Sequence, residues 1–167
     1  MDAIELIRKT GMAARIGVSI YDPSELEPLM TRYNFRVVQC PYNALDQRLT
    51  ESGWLNKLAE RGIEIHTRST FLQGLLLTPI SELNSYFDPW RDVLSAWHEY
   101  VATSYRSGVE ACLAQVLARP EFRRIVVGVQ SEHQLKPLLS AVESGTTPPF
   151  HGGQQSLELI DPRKWAL

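Results

Sequence analysis

The chain has 167 residues, 44% of them apolar and 22% charged, and 17 basic against 19 acidic side chains leave a formal charge of -2. This is the composition of one ordinary soluble domain, long enough to bury roughly 70% of its unfolded surface without staples. Balanced charge with no long run of either sign excludes the electrostatic footprint of a nucleic-acid or anionic-membrane binder, and no stretch approaches the ~18 apolar residues of a membrane span.

The two cysteines, Cys40 and Cys112, lie far apart. With no CxxC and no Cys/His cluster at ligand spacing, they read as small apolar core residues in a reducing, cytoplasmic protein without a zinc site. The first twenty residues carry Asp2 and Glu5 early and lack an unbroken apolar stretch, so they do not read as a signal peptide.

Apolar periodicity alternates along the chain between helical and strand values. Residues 2–11 carry Ala3, Ile4 and Ile7 at helical spacing and stop at Gly11; residues 15–19 then read as a short strand. Asp22-Pro23-Ser24-Glu25 is a helix start, with Asp22 as cap, Pro23 in the first turn and Glu25 closing a capping box, and that helix runs to about Tyr33. A strand over 36–40, a helix over about 50–61 ending at Arg61-Gly62, and a strand over 63–68 follow. Residues 71–90, with Pro79 and Pro89, read as an irregular stretch longer than most connections in compact domains, of the kind that often carries function.

Helices resume after it. Val109, Cys112, Leu113, Val116 and Leu117 form one apolar stripe that Pro120 ends. Residues 124–129 are the most apolar strand, expected to be buried on both faces. Ser131 and Gln134 form a second capping box, opening a helix with Leu135, Leu138, Leu139 and Val142 on one face. From 144 onward the chain reads as an extended tail closed by Leu157–Pro162, giving a division into a domain over 1–143 and a tail over 144–167 that packs on it.

Four strands alternating with helices predict a parallel sheet with right-handed crossovers. GVSIYDP is not the glycine-rich turn of a doubly wound dinucleotide fold, and a complete (β/α)₈ barrel needs about 250 residues. The predicted fold is therefore α/β, four parallel (β/α) units amounting to half of such a barrel. Its two strand edges and an apolar inner face call for a cover, supplied by dimerisation, by a separately encoded half, or by flattening of the sheet.

At four places in order the chain resembles the C-terminal half of an aldo/keto reductase. The segments are Arg15–Ser19, Val38–Asn43, Arg68–Leu76, and Val127–Ser131 with Gln134-Leu135, corresponding to barrel strands five to eight. The closing Leu159–Trp165 resembles the tail of a bacterial branch often associated with surface-polysaccharide gene clusters. The resemblance implies carbonyl reduction with NADP or NAD as cofactor. The family's catalytic Asp, Tyr, Lys and His come from the first four strands, so it assigns no catalytic residue here and implies that the chain is inactive alone.

The resemblance does imply cofactor contacts. Ser19 and Gln39 match residues that hold the nicotinamide amide, with Ile20 where an asparagine usually follows the serine. Arg68, before Ser69, stands where many members stack a tyrosine on the nicotinamide; a guanidinium plane stacks on an aromatic ring but repels the cationic oxidised form. Phe71, Gln73 and Gly74 belong to the loop that wraps the pyrophosphate. Gly128, Gln130, Ser131 and Gln134 sit where a strand gives way to a helix N-terminus, whose N–H groups attract phosphate. The family's adenine-reading Glu-Asn pair is replaced by Pro137-Leu138, and Lys136 is the nearest cation for a 2′-phosphate.

Plainer readings stand beside these. His66 is a satisfied strand histidine, Arg123-Arg124 a solvated pair at the bottom of the sheet, and Trp54, Trp90 and Trp97 are packing residues. The expected partners are a nicotinamide nucleotide and a second protein half, with no nucleic acid, membrane or metal. The rival function is a non-catalytic module that binds a phosphorylated ligand or serves assembly, and a third reading is a truncated gene product.

Overall fold

The computed structural model describes residues 3–104, 107–143 and 149–166. Four parallel strands form one open sheet in chain order: β1 (Gly17–Ser19), β2 (Val37–Pro41), β3 (Glu64–Arg68) and β4 (Phe122–Ile125). Ser19 lies beside Gln39, Gln39 beside His66, and His66 beside Arg124 after a register shift in the β3–β4 pair. Because each strand runs the same way, each connection must return the chain to the starting end, and helices do this. The result is a set of successive β/α units with the architecture of a partial (β/α) barrel, left unclosed.

Local chemistry fixes the elements. After helix α1 (Ala3–Lys9), Gly11 takes the left-handed conformation (φ +72°) that ends the turn. The capping box forms as expected: the Ser24 amide donates to Asp22 Oδ1 (2.9 Å) and the Asp22 amide to Glu25 Oε1 (2.7 Å), ahead of α2 (Leu26–Arg32). The helix expected over 50–61 is instead two, α3 (Arg48–Glu51) and α4 (Trp54–Glu60), because Gly53 between them sits at φ +75°. Residues 71–90 are a series of 3₁₀ turns at Leu72–Leu77, Ile80–Glu82 and Ser85–Trp90, the last opened by the Asn84 side chain accepting from the Tyr86 amide (2.8 Å). Helices α5 (Arg91–Ser104) and α6 (Gly108–Leu117) follow, then β4 and α7 (Glu132–Glu143).

Hydrophobic burial lies on one side of the sheet and beyond its carboxyl ends. Val38, Cys40 and Ile65 meet Leu26, Leu55 and Leu58 between the strands and α2–α4. A second cluster joins Leu72, Leu76, Leu94, Trp97, Cys112 and Leu159, binding the 3₁₀ segment, α5, α6 and the short C-terminal helix α8 (Leu157–Ile160). Trp97 is fully buried and its indole donates to the Leu76 carbonyl at 2.9 Å; Trp54 is buried and Trp90 packs on the second cluster. Both cysteines are free and buried, and burial pushes the Cys40 thiol up to about 12 and Cys112 higher still, so they behave as small hydrophobes.

The tail is tied down where it is described. The Phe150 amide donates to Gln115 Oε1 (2.7 Å), and Tyr86 Oη donates to the Glu158 carbonyl (2.9 Å). Residues 144–148, the start of the expected extended tail, lie outside the described residues.

Two expectations are corrected. The strand expected over 124–129 runs instead over Phe122–Ile125, its last bond to β3 being the Val126 amide to the Thr67 carbonyl (2.7 Å), and Val126 and Val129 are 44% and 40% exposed rather than buried on both faces. β4 is an edge strand flanked by β3 alone, so the outer part of its apolar run has no second layer. The uncovered face of the sheet is also not apolar. Side chains alternate along a strand, and with Ile65 and Thr67 buried beneath, this face carries Ser19, Gln39, Glu64, His66 and Arg124.

Candidate functional site

The carboxyl ends of β1–β3 bring the polar candidates together. Ser19 and Gln39 are register neighbours, and Ser19 Oγ donates to Gln39 Oε1 at 3.2 Å. Among the described residues Gln39 Nε2 has no hydrogen-bond partner, so the pair presents a free amide donor beside a hydroxyl oxygen that still accepts. That combination complements a primary carboxamide.

Arg68, at the end of β3, reaches across β2. Its guanidinium donates to Ser69 Oγ (3.2 Å) and to the Ile20 carbonyl beyond β1 (3.1 Å). It lies over the Tyr21 ring at 4.4 Å from the centroid, and the Arg163 guanidinium also lies over that ring, at 3.7 Å. Arg163 is in turn held by Asp161, whose carboxylate accepts from Nε at 2.9 Å and whose Oδ1 caps the Arg163 amide at 3.1 Å. The Arg163 hydrogen bonds hold the Asp161 carboxyl below the ordinary carboxylate range. Tyr21, Arg68, Ser69, Gln73, Asp161 and Arg163 thus border a cavity of about 140 Å³ at the mouth of the sheet.

A second polar clasp stands beside it. Arg48 grips the buried Asp46 through Nε (2.7 Å) and Nη2 (2.8 Å), and reaches Asp22 Oδ2 with Nη1 (2.8 Å). Burial pushes the Asp46 carboxyl up while Arg48 pulls against it, and Asp46 in return holds the Arg48 guanidinium protonated. Asn43, fully buried, accepts from the Leu45 and Asp46 amides and donates to the Ser69 carbonyl at 3.0 Å, fastening this loop to the end of β3.

The loop that follows β3 has unusual backbone. Ser69, Leu72 and Gln73 have φ of 62°, 47° and 55°, and Gly74 has 91°. Left-handed conformations cost side-chain-bearing residues energy and persist only where surroundings enforce them. Leu72 is fully buried, its amide donates to the Ser69 carbonyl (2.9 Å), and the Gly74 amide donates to that of Phe71 (2.9 Å). Phe71 is half-buried against the cores under the loop, whereas Gln73 is exposed.

On the β4 side, Gly128, Gln130, Ser131 and Gln134 are all exposed. One arm of the box expected at Ser131–Gln134 forms, the Gln134 amide donating to Ser131 Oγ (3.3 Å); Gln134 Oε1 accepts from the Gln130 amide (2.8 Å) in place of the Ser131 amide that would close the box. The Gln130 and Gln134 amides are thereby satisfied within the chain.

Lower on the open face, His66 Nε2 lies 2.7 Å from Glu64 Oε1. Burial, then Arg124 and Arg15, keep the imidazole below its ordinary pKa. Glu64 also pairs with Arg15 and, at 3.4 Å, with Arg124. The sequence reading of His66 as a satisfied strand residue holds; Arg124, read as a merely solvated partner of Arg123, is engaged on this face instead. The tail's part in the mouth was not foreseen, although Asp161-Pro162-Arg163 has the cap-and-proline form already read at Asp22-Pro23. Among the described residues no group of three His, Cys, Asp or Glu side chains is placed to hold a metal, and no helix is long and apolar enough to cross a membrane.

An open parallel sheet with polar groups gathered at its strand carboxyl ends defines the class: an α/β protein with a ligand site of the (β/α)-barrel kind. The aldo/keto reductase family profile matches residues 1–148, and the chain belongs to that family. Among solved structures it is similar to the aldo-keto reductase AKR11C1 from Bacillus halodurans, in its holo form at 26% identity with a TM-score of 0.74, covering 87% of this chain and 50% of that one. The apo form of the same enzyme gives the same identity, TM-score and share of this chain, and 51% of its own. The chain therefore spans about half the length of the solved relatives it matches. A comparison with curated proteins found no match.

Proposed function

We propose that the chain is the cofactor-holding part of an NAD(P)H-dependent aldo/keto reductase-like oxidoreductase, acting in the cytoplasm on carbonyl substrates and inactive without the strands that carry the family's catalytic residues. The observation that carries this reading is the Ser19–Gln39 pair, whose free donor and acceptor suit the carboxamide of a nicotinamide. Ser69, Gln73 and Gly74 would hold the pyrophosphate, with Gly128 and Ser131 beside it; a Cβ built on Gly74 or Gly128 would meet no atom within 4 Å, so the backbone there is open to approach. The bound nucleotide would supply the hydride, and this chain's residues orient its ring and phosphates. The nucleotide in this reading is NADP or NAD; Lys136, the nearest cation for a 2′-phosphate, is paired with Glu132 at 2.9 Å. A sugar-related substrate follows from the resemblance of Leu159–Trp165 to the polysaccharide-associated branch.

One observation favours a second reading. The Arg68 guanidinium is already stacked on Tyr21 and hydrogen-bonded to Ile20, which withdraws it from a nicotinamide ring and suits a non-catalytic module for a phosphorylated ligand. Titration with NADPH, followed by quenching of the four tryptophans, separates the two. Saturable quenching that weakens at least several-fold in Gln39→Ala supports the oxidoreductase reading. No quenching at millimolar nucleotide, or unchanged affinity in the variant, sinks it.

A further inference from the structure

A groove lies at the amino ends of the strands, opposite the mouth. It opens where α2 gives way to β2 and α4 to β3, so its walls lead into the two central strands of the sheet. Its volume is about 410 Å³, and Arg32, Arg36 and Arg61 line it with Tyr33 and with no acidic side chain. The core sets its floor: Phe35 and Ile63 are buried, and the Glu64 amide donates to the Arg36 carbonyl (2.9 Å), fixing one wall to the other. Arg61 Nη1 also donates to Met30 Sδ (3.3 Å), and the Arg32 guanidinium lies over the Tyr33 ring, 5.3 Å from its centroid.

The three arginines are exposed, and among the described residues none has a carboxylate partner. Two helices end at the groove, and each C-terminus offers about half a negative charge, which offsets about one guanidinium. Glu60 is exposed and does not line the groove. A neighbouring groove shares Arg36 and sets Glu64 and Glu121 against Arg15 and Arg123, with Arg124 also on Glu64. Arg119, at the turn into β4, adds to the positive excess. Glu121 Oε2 is buried there without a hydrogen-bond partner and repels an anion, which leaves the groove of Arg32, Arg36 and Arg61 as the place for one. In a chain with 19 acidic and 17 basic side chains, this surplus is local.

We propose that this groove binds a small soluble anion of the pyrophosphate class, two linked phosphoryl groups spanning its walls. Guanidinium forks take phosphate oxygens in pairs. One phosphomonoester carries about −2 near neutral pH, whereas two linked groups carry more charge and reach arginines on both walls. The inference rests on this groove and not on the cofactor reading at the mouth.

The probe is sodium pyrophosphate, titrated at constant ionic strength into the ¹⁵N-labelled chain and followed by amide chemical shifts. The expected result is saturable movement of the amides of 33–36 and 61–63. Its affinity should weaken at least about tenfold in Arg36→Gln and in Arg61→Gln, and stay unchanged in Arg91→Gln, an arginine paired with Asp88 elsewhere. Circular dichroism checks that each variant is folded, and Arg32→Gln replaces one that is not. Movement confined to 69–74 places the anion at the mouth and overturns the proposal, as does no movement at millimolar pyrophosphate. The same movement with sodium sulfate means general screening and overturns it too. Sedimentation with phosphatidylcholine vesicles containing phosphatidylinositol bisphosphate, without a response to free pyrophosphate, assigns the arginines to a membrane surface and overturns the soluble ligand. Loss of NADPH quenching with the groove shifts intact would sink the cofactor reading alone.

Discussion

The mouth of the sheet and its margins are built to different degrees of completion. At the mouth, Leu72, Leu76, Trp97 and Leu159 are fully buried, the clasps of Asp46–Arg48 and Asp161–Arg163 are closed, and the tail is bonded to the 3₁₀ segment. At the margins, α1 and α7 hold large apolar side chains in water and two strands end the sheet without neighbours. The same chain thus closes the mouth with its own core while its margins keep large apolar side chains in water. Substitutions in the two regions should therefore differ sharply in their cost to stability.

The largest effect is expected in the finished region. Trp97→Ala removes a fully buried indole that bonds Leu76 and sits 5.4 Å from the Phe150 ring and 5.7 Å from the Tyr100 ring. A loss of about 3–5 kcal/mol is the usual cost of such a truncation. Urea unfolding measures it, and a loss under about 1 kcal/mol would mean that the tail and α5 do not share one core.

How far the sequence foretold each region follows from how local the causes are. The capping box at Asp22–Glu25 lies within four residues and forms in full, and at Ser131–Gln134 the Ser131 arm forms while Gln134 Oε1 takes the Gln130 amide. The order and direction of the strands followed from the alternation of periods, and Ser19 and Gln39 do meet. The Tyr21 sandwich joins Arg68 and Arg163, which lie on separate elements, and no local pattern announces that they converge. The apolar run 125–129 marked burial without saying where its neighbour would come from, and the structure leaves it half exposed at an edge. The charged inner face was hidden for a related reason: Glu64 and His66 alternate with Ile65 and Thr67, which is legible only once the helices show which set they cover.

An intermediate effect is expected at the clasp that joins the tail to the mouth. Asp161 is buried, while Arg163 is 55% exposed, so the pair is partly screened and Asp161→Asn should cost only about 0.5–1 kcal/mol at pH 7. Because the folded-state pKa of Asp161 is depressed, its contribution is present above the unfolded value near 4 and is lost as pH falls through the folded value. Native and variant stabilities should therefore differ at pH 7 and converge in acid. A difference that persists at pH 2–3 would assign the loss to packing or to the Arg163 cap and not to the charge.

The smallest effect is expected on the margin. Leu139 is 61% exposed on α7, and Leu139→Ser should change the unfolding free energy of the chain by no more than about 0.5 kcal/mol in either direction. A urea midpoint that stays in place is what a side chain outside the chain's own core would give. A loss above about 1 kcal/mol would mean that Leu139 belongs to this chain's core, and the contrast between a finished mouth and open margins would fail at α7.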